Sequence, residues 1–124
     1  MKHKELNQRL SNYIRIHRKN AGLSQGELGG ALGYCDEQTI ARHERFHVMP
    51  PLRIAISYAI VFRIPVAELF AGLHDEVELG VETRLAQLEQ QLGQRSARDG
   101  TALITARKLL WLSQRKNPEY RIHA

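Results

Sequence analysis

The sequence has one cysteine and no long apolar stretch, and both shortages restrict what the protein can be. Cys35 is the single cysteine among 124 residues, which excludes an internal disulfide and fits a reducing cytosol. No apolar run approaches the roughly 18–20 residues that cross a bilayer. The charged start, from Met1 to Glu5, lacks the apolar segment of a signal peptide. We therefore expect a cytoplasmic protein without a membrane partner.

Recognisable catalytic patterns are missing as well. The sequence has no Gly-rich phosphate loop, no arguable Ser/His/Asp or Cys/His order, and no carboxylate pair in a familiar setting. His43 and His47 are four residues apart, but nothing is spaced to complete the three or four ligands of a zinc site. A redox role for Cys35 has little support, because no close cation would activate its thiol. The sequence predicts no enzyme, no cofactor and no metal site.

Positive charge is present in modest excess and is unevenly placed. The 18 Lys+Arg and 13 Asp+Glu give a formal net charge of +5. Residues 1–63 hold 10 basic and 5 acidic side chains, residues 64–100 hold 3 and 7, and residues 101–124 hold 5 and 1. A basic first half permits a polyanion such as nucleic acid as partner, with a solvated basic surface as the simpler alternative.

Short amphipathic helices are predicted at the start of the chain, where strand signals are weak. Apolar positions three and four apart predict a first helix that ends near Gly22, and they are Leu6, Leu10, Tyr13, Ile14 and His17. Ser24 and Glu27 form a capping-box pattern, which opens a brief second helix ending at Gly33. Its apolar edge consists of Leu28 and Leu32.

A third helix is predicted to begin after Asp36 and to reach about Arg45. Its inward positions are Ile40 with His43 or Glu44, and its outward positions carry mostly long polar side chains. Two short helices joined by a Gly-containing turn, the second with a polar outer face, are typical of a helix-turn-helix unit.

Prolines mark the next two helices. Pro50 and Pro51 precede a fourth helix whose predicted buried face is Leu52, Ala55, Ile56, Ala59 and Ile60. Pro65 precedes a short fifth helix, which is predicted from Val66, Leu69 and Phe70 and ends at Gly72.

The last third of the chain predicts two further amphipathic helices. A helix of about 17 residues from Asp75 is indicated by Val77, Val81, Leu85, Leu88 and Leu92. Residues 93–100 read as a loop, and a final helix is indicated by Leu103, Ala106, Leu109, Leu110 and Trp111. The two helices either pair within one chain or mediate dimerisation. We expect a helical domain over residues 1–73, this pair over 74–116, and a frayed tail over 117–124.

Residues from about Leu10 to Leu73 resemble the XRE family, the phage-repressor-like helix-turn-helix DNA-binding domains. The resemblance is carried by IRIHRKNAGLSQGELGGALGY, by TIARHE and by PPLRIAISYAIVFRIPVAELF. It implies a five-helix domain within an all-α chain, with the third helix in the major groove. It also implies a bacterial or phage transcriptional regulator that binds a palindromic DNA operator as a homodimer. Phe46 departs from the family pattern, because it stands where a glycine usually follows the third helix.

The resemblance also assigns roles to individual side chains. Gln38 and Arg42 are the expected base readers, and Thr39 would add a methyl or hydroxyl contact. Glu37 would accept a hydrogen bond from a cytosine amino group or repel phosphate. Phosphate contacts are expected from Ser24, Gln25, Arg45, Arg53 and Lys19.

Arg18 and Glu44 are expected to form an inward salt bridge that positions the third helix. A competing hypothesis is an interaction module, such as an antitoxin or adaptor, that acts mainly through its C-terminal helices.

Overall fold

A computed structural model describes residues 9–33, 36–95 and 102–120, and these residues form an all-α structure without strands. Seven helices occur in this part of the chain. In chain order they are α1 (Ile14–Ala21), α2 (Gln25–Ala31), α3 (Glu37–Glu44), α4 (Leu52–Phe62), α5 (Val66–Leu69), α6 (Ala71–Arg95) and α7 (Ala102–Gln114). The chain divides into two compact units, one ending at Val77 and the other beginning at Glu78. Cys35 lies outside the described residues.

The first unit is built around one apolar core shared by α1 to α5. Ile14, Leu28, Ile40, Tyr58 and Leu69 come from these five helices in turn, and each is fully buried. Burying such a side chain contributes about 1.5–3 kcal/mol, so one anchor from each helix fixes the short elements against one another. Helix α3 packs on both α2 and α1.

The helix ends follow the predicted capping signals closely. Gly22 ends α1 with φ of 79°, a left-handed conformation that costs glycine little. At the start of α2 the Ser24 side chain accepts a hydrogen bond from Glu27 N–H, and the Glu27 carboxylate accepts one from Ser24 N–H. Asp36 caps α3 by accepting from Gln38 N–H at 2.8 Å.

The first helix is shorter than predicted, and Leu10 is not part of it. Helix α1 begins at Ile14, and Leu10 precedes it with 51% of its surface exposed. The backbone before α1 bonds elsewhere: Tyr13 N–H donates to Leu69 C=O, and Gly72 N–H donates to Leu10 C=O. These bonds hold the segment against the start of α6 and replace a helical ladder. Leu6 lies outside the described residues.

The predicted buried face of α4 is wrong at three of its five positions. Leu52, Ile56 and Ile60 are 73%, 44% and 70% exposed, whereas Ala55 is buried as predicted and Ala59 is half-buried. The other buried positions of the helix are Ile54 and Tyr58. Nearly the whole circumference of this helix is apolar, so periodicity alone does not select the side that packs.

The predicted breaks at Gly72 and Gly93 are also wrong. Helix α5 ends at Leu69, and α6 then runs from Ala71 to Arg95 through both glycines. A helical glycine costs only about 1 kcal/mol relative to alanine, which packing can offset. Gly72 has a steric reason to be there, because a Cβ at this position would lie 2.5 Å from Arg9 C=O.

The second unit contains α7 and the part of α6 after Val77. Leu92 of α6 and both Thr105 and Leu112 of α7 are the buried side chains among its described residues. Two ion pairs join α6 to the residues that directly follow α7: Arg115 to Glu82 at 2.6 Å and Lys116 to Glu89 at 3.0 Å. Residues 117–120 form a turn closed by Tyr120 N–H to Asn117 C=O, so this part of the predicted tail is ordered locally. No described helix combines the length and apolar character needed to cross a bilayer.

Candidate nucleic-acid interface

Polar side chains of α1 and α2 contact Glu44 in the last turn of α3. Arg18 Nε lies 2.5 Å from Glu44 Oε2, and the two side chains are only 11% and 3% exposed. Arg18 also donates to Leu23 C=O at 3.0 Å, and Gln25 Nε2 donates to Glu44 Oε1 at 3.2 Å. The ion pair expected of Arg18 and Glu44 is therefore present, and it joins α1, α2 and α3.

Two further buried contacts fix the same turn. Asn12 Nδ2 donates to His43 C=O at 2.9 Å, and Asn12 Oδ1 accepts from Ile14 N–H at 3.1 Å. His43 Nδ1 lies 2.8 Å from the Tyr58 hydroxyl of α4, and burial lowers the pKa of this imidazole. His43 therefore belongs to the core, and it is not available to share a metal ion with the exposed His47.

The opposite face of α3 is exposed and polar. Gln38, Arg42 and Arg45 line one concavity of about 260 Å³ together with Ala41. Their spacing of four and then three residues puts them on one side of the helix. Two of the predicted base-reading residues are thus neighbours, and Arg45 is beside them.

A larger cleft is lined by residues of α1, α2 and α3 and shares Arg45 with the first concavity. It has a volume of about 880 Å³ and is lined by Arg15, Arg18, Lys19, Ser24, Gln25, Glu37, Glu44, Arg45 and His47. Arg15, Lys19 and Arg45 are exposed, and none of them has an ion pair with a described residue. We call this the basic cleft.

The predicted phosphate contacts are brought together only in part. Lys19, Ser24, Gln25 and Arg45 line the basic cleft, whereas Arg53 is exposed on the first turn of α4 and lines neither concavity. The Gln25 amide is engaged with Glu44, so its side chain supports the ion pair. Sequence reasoning missed Arg15, whose spacing of four residues from Lys19 was the available signal.

The other two predicted base contacts, Thr39 and Glu37, do not line the concavity that contains Gln38 and Arg42. Thr39 Oγ1 donates to Asp36 Oδ2 at 3.1 Å, which leaves its methyl group free to contact a ligand. Hydrogen bonds from Gln38 N–H and the Thr39 hydroxyl lower the pKa of Asp36. Glu37 lines the basic cleft, where its carboxylate lies against Gly26 of α2.

A comparison of the chain with protein-family models, curated proteins and solved structures finds no match. The arrangement around α3 must therefore be interpreted from its own chemistry: a polar exposed face, a cationic cleft beside it, and a buried network behind it.

Proposed function

We propose that the protein is a sequence-specific DNA-binding transcriptional regulator that reads the major groove with α3. In this arrangement α2 and α3 are the two helices of a helix-turn-helix unit within a five-helix, repressor-like domain. The observation that carries the proposal is the exposed face of α3, where Gln38, Arg42 and Arg45 lie together on a helix anchored from behind. The resemblance of residues 10–73 to the XRE family supports the same assignment.

The chemistry of this face suits base recognition. The major groove of B-DNA is about 12 Å wide and admits a helix, and Arg and Gln are the usual partners of guanine and adenine there. The buried contacts of Glu44 and His43 leave α3 little freedom to rotate, which favours a fixed register of side chains on bases. The methyl group of Thr39 is suited to a thymine methyl.

The basic cleft would hold the sugar–phosphate backbone. Arg15, Lys19 and Arg45 supply positive charge that no described residue neutralises in an ion pair. Ser24 can still donate its hydroxyl hydrogen while accepting from Glu27 N–H. Arg53 would contact phosphate beyond the cleft. We further propose that two copies bind a palindromic operator, because two-fold protein symmetry matches two-fold DNA sites.

Selection of bound duplexes from random DNA, with the full chain, tests this function. We expect an enriched half-site repeated at about one helical turn, or 10 base pairs. Arg42→Ala should lose about 1–3 kcal/mol of binding to the selected sequence and relax one base position, and Gln38→Ala should relax another. Arg63→Ala removes the same charge from an exposed site outside both concavities and serves as the control. Lack of enrichment, or an Arg42→Ala variant that selects like the original chain, would rule the function out.

One observation favours an interaction module as the second candidate. Helix α7 leaves Leu103, Ile104 and Leu110 exposed by 87%, 53% and 59%, which is unusual for a surface with no partner. An antitoxin or adaptor that acts through this helix would enrich no DNA sequence and would be indifferent to Arg42→Ala.

A further inference from the structure

Glu37 is placed differently from the other residues at the exposed end of α3. It is the first residue of the helix, but the concavity that contains Gln38, Arg42 and Arg45 excludes it. Its side chain instead lines the basic cleft, so it faces the cations that would hold phosphate. A carboxylate at this position faces the surface expected to approach the DNA backbone.

Gly26 allows this placement. A Cβ built on Gly26 would lie 2.8 Å from Glu37 Oε1 and 3.5 Å from its Cδ, so any larger residue would displace the carboxylate. Glu37 has no ion pair with a described residue, whereas Glu44 in the same cleft is neutralised by Arg18. The cleft charges that lack an ion pair with any described residue are therefore three cations, Arg15, Lys19 and Arg45, and one carboxylate.

We propose that Glu37 limits the affinity of the basic cleft for polyanions and does not read a base. The carboxylate opposes the attraction of phosphate by the three cations, equally for every DNA sequence. The inference rests on the proposed DNA-binding function. It adds to that function a residue that weakens binding to the sugar–phosphate backbone of DNA. Base contacts by Gln38 and Arg42 then make up a larger share of the total binding free energy.

The effect should be electrostatic in its magnitude and its salt dependence. Two unit charges about 6–8 Å apart in water interact by about 0.5–0.7 kcal/mol, which is roughly a threefold change in affinity. Less complete solvation in a cleft raises the change toward tenfold. Because the Debye length falls from about 10 Å at 0.1 M salt to about 3 Å at 1 M, the change should shrink as salt rises.

The test compares Glu37→Gln with Glu68→Gln in the full chain. Both variants remove one exposed carboxylate of the first unit, but Glu68 lies on α5 and does not line the cleft. At about 50 mM salt we expect Glu37→Gln to bind random and selected duplexes about three- to tenfold more tightly with unchanged base preference. Glu68→Gln should change either affinity by less than about twofold.

Three outcomes overturn the inference. They are unchanged or weaker binding by Glu37→Gln, an equal gain in Glu68→Gln, and altered preference at one base position without a general gain. Salt elution from a heparin column repeats the comparison on a polyanion without bases, and we expect Glu37→Gln to elute later than both other proteins. If no duplex binds the unmodified chain but this elution difference remains, the proposed function fails while the role of Glu37 stands. Co-elution of the two variants contradicts the role of Glu37 in either case.

Discussion

At the scale of single residues, the position of α3 depends on two side chains that are buried although they are polar. His43 and Glu44 are adjacent in sequence, yet one bonds to Tyr58 in the core and the other to Arg18 at the edge of the cleft. Buried polar groups are costly unless their partners are present, so each contact should be visible in stability measurements.

Stability should fall on mild acidification because of His43. Burial lowers the pKa of this imidazole below its usual value of 6.5, so the unfolded chain binds a proton more readily than the folded one. The free energy of unfolding should therefore decrease as pH drops below about 6.5, down to the lower pKa of the folded state. Urea unfolding at pH 8 and pH 5.5 measures the decrease, and His43→Gln should reduce it.

The control for this prediction is His47→Gln, which alters an exposed histidine in the loop after α3. It should leave the difference between the two pH values unchanged. Equal pH dependence in His43→Gln and the unmodified chain would show that another group is responsible. The lowered pKa values of Asp36 and Glu27 act in a separate range, because stability from these carboxylates is lost only below about pH 4.5.

Removal of Arg18 should be among the most damaging single changes. Arg18→Ala leaves a Glu44 carboxylate that is 3% exposed and whose remaining side-chain donor among the described residues is the Gln25 amide. Breaking such a buried pair costs about 3–5 kcal/mol of unfolding free energy, measurable by urea denaturation. Replacing both partners, Arg18→Met with Glu44→Leu, should recover much of the loss because no unpaired charge remains. A single variant as stable as the original chain would contradict a structural role for Arg18.

At the scale of the helical elements, the end of α4 holds a non-glycine residue in a conformation that favours glycine. Arg63 has φ of 55° and ψ of 46°, and the turn is closed by Ile64 N–H to Ala59 C=O. The left-handed conformation costs a residue with a Cβ about 1–2 kcal/mol. Glycine avoids that cost but gains freedom in the unfolded chain, which offsets part of the benefit.

Arg63→Gly should therefore stabilise the protein by about 0.5–1 kcal/mol in urea unfolding. Arg63→Ala is the matched control, because it removes the same exposed side chain and keeps the Cβ. Phe46 has a similar φ of 59°, but its ring is half-buried, so Phe46→Gly should not show the same gain. Equal stability of the glycine and alanine variants at position 63 would show that the backbone conformation carries no cost.

Capping chemistry made the starts of α2 and α3 predictable, whereas packing decided the start of α1 and the buried face of α4. Ser24, Glu27 and Asp36 satisfy backbone groups within a few residues of themselves, so local sequence contains the needed information. The buried face of α4 depends on which of its several apolar sides packs against the other helices of the first unit. The start of α1 depends on the hydrogen bond from Tyr13 N–H to Leu69 C=O, which joins residues 56 positions apart in the sequence.

The candidate interface shows the same division. Gln38 and Arg42 could be grouped from their spacing alone, because four residues make about one helical turn. The separation of Glu37 from them depends on the glycine at position 26 of another helix, which spacing within α3 does not reveal. The contribution of Arg15 likewise requires α1 to lie beside α2.

At the scale of the whole molecule, the second unit buries too little to explain its apolar composition. Its buried side chains among the described residues are Leu92, Thr105 and Leu112, while Leu103, Ile104, Leu110 and Trp111 of α7 remain 41–87% exposed. The exposed pairs Leu103 with Leu110 and Ile104 with Trp111 are each seven residues apart, the spacing of a helix-packing seam. Two helices seldom supply a sufficient core alone, which favours assembly with a second copy.

We therefore expect the full chain to dimerise through α7, as the proposed two-fold operator requires. Leu110→Lys should convert the dimer to a monomer in sedimentation equilibrium, because it places a charge in an apolar seam. It should also weaken binding to a palindromic duplex far more than binding to a single half-site, since only the palindrome engages both copies at once.

Ile60→Lys is the control for this experiment, because Ile60 is 70% exposed on α4 in the first unit and the change in side chain is similar. It should leave both sedimentation and the preference for the palindrome unaltered. If Ile60→Lys dissociates the dimer and Leu110→Lys does not, the interface lies on the apolar surface of the first unit and not on α7. If the chain is monomeric at every concentration, with and without operator DNA, the expected dimer does not form. Each copy would then bind its half-site independently.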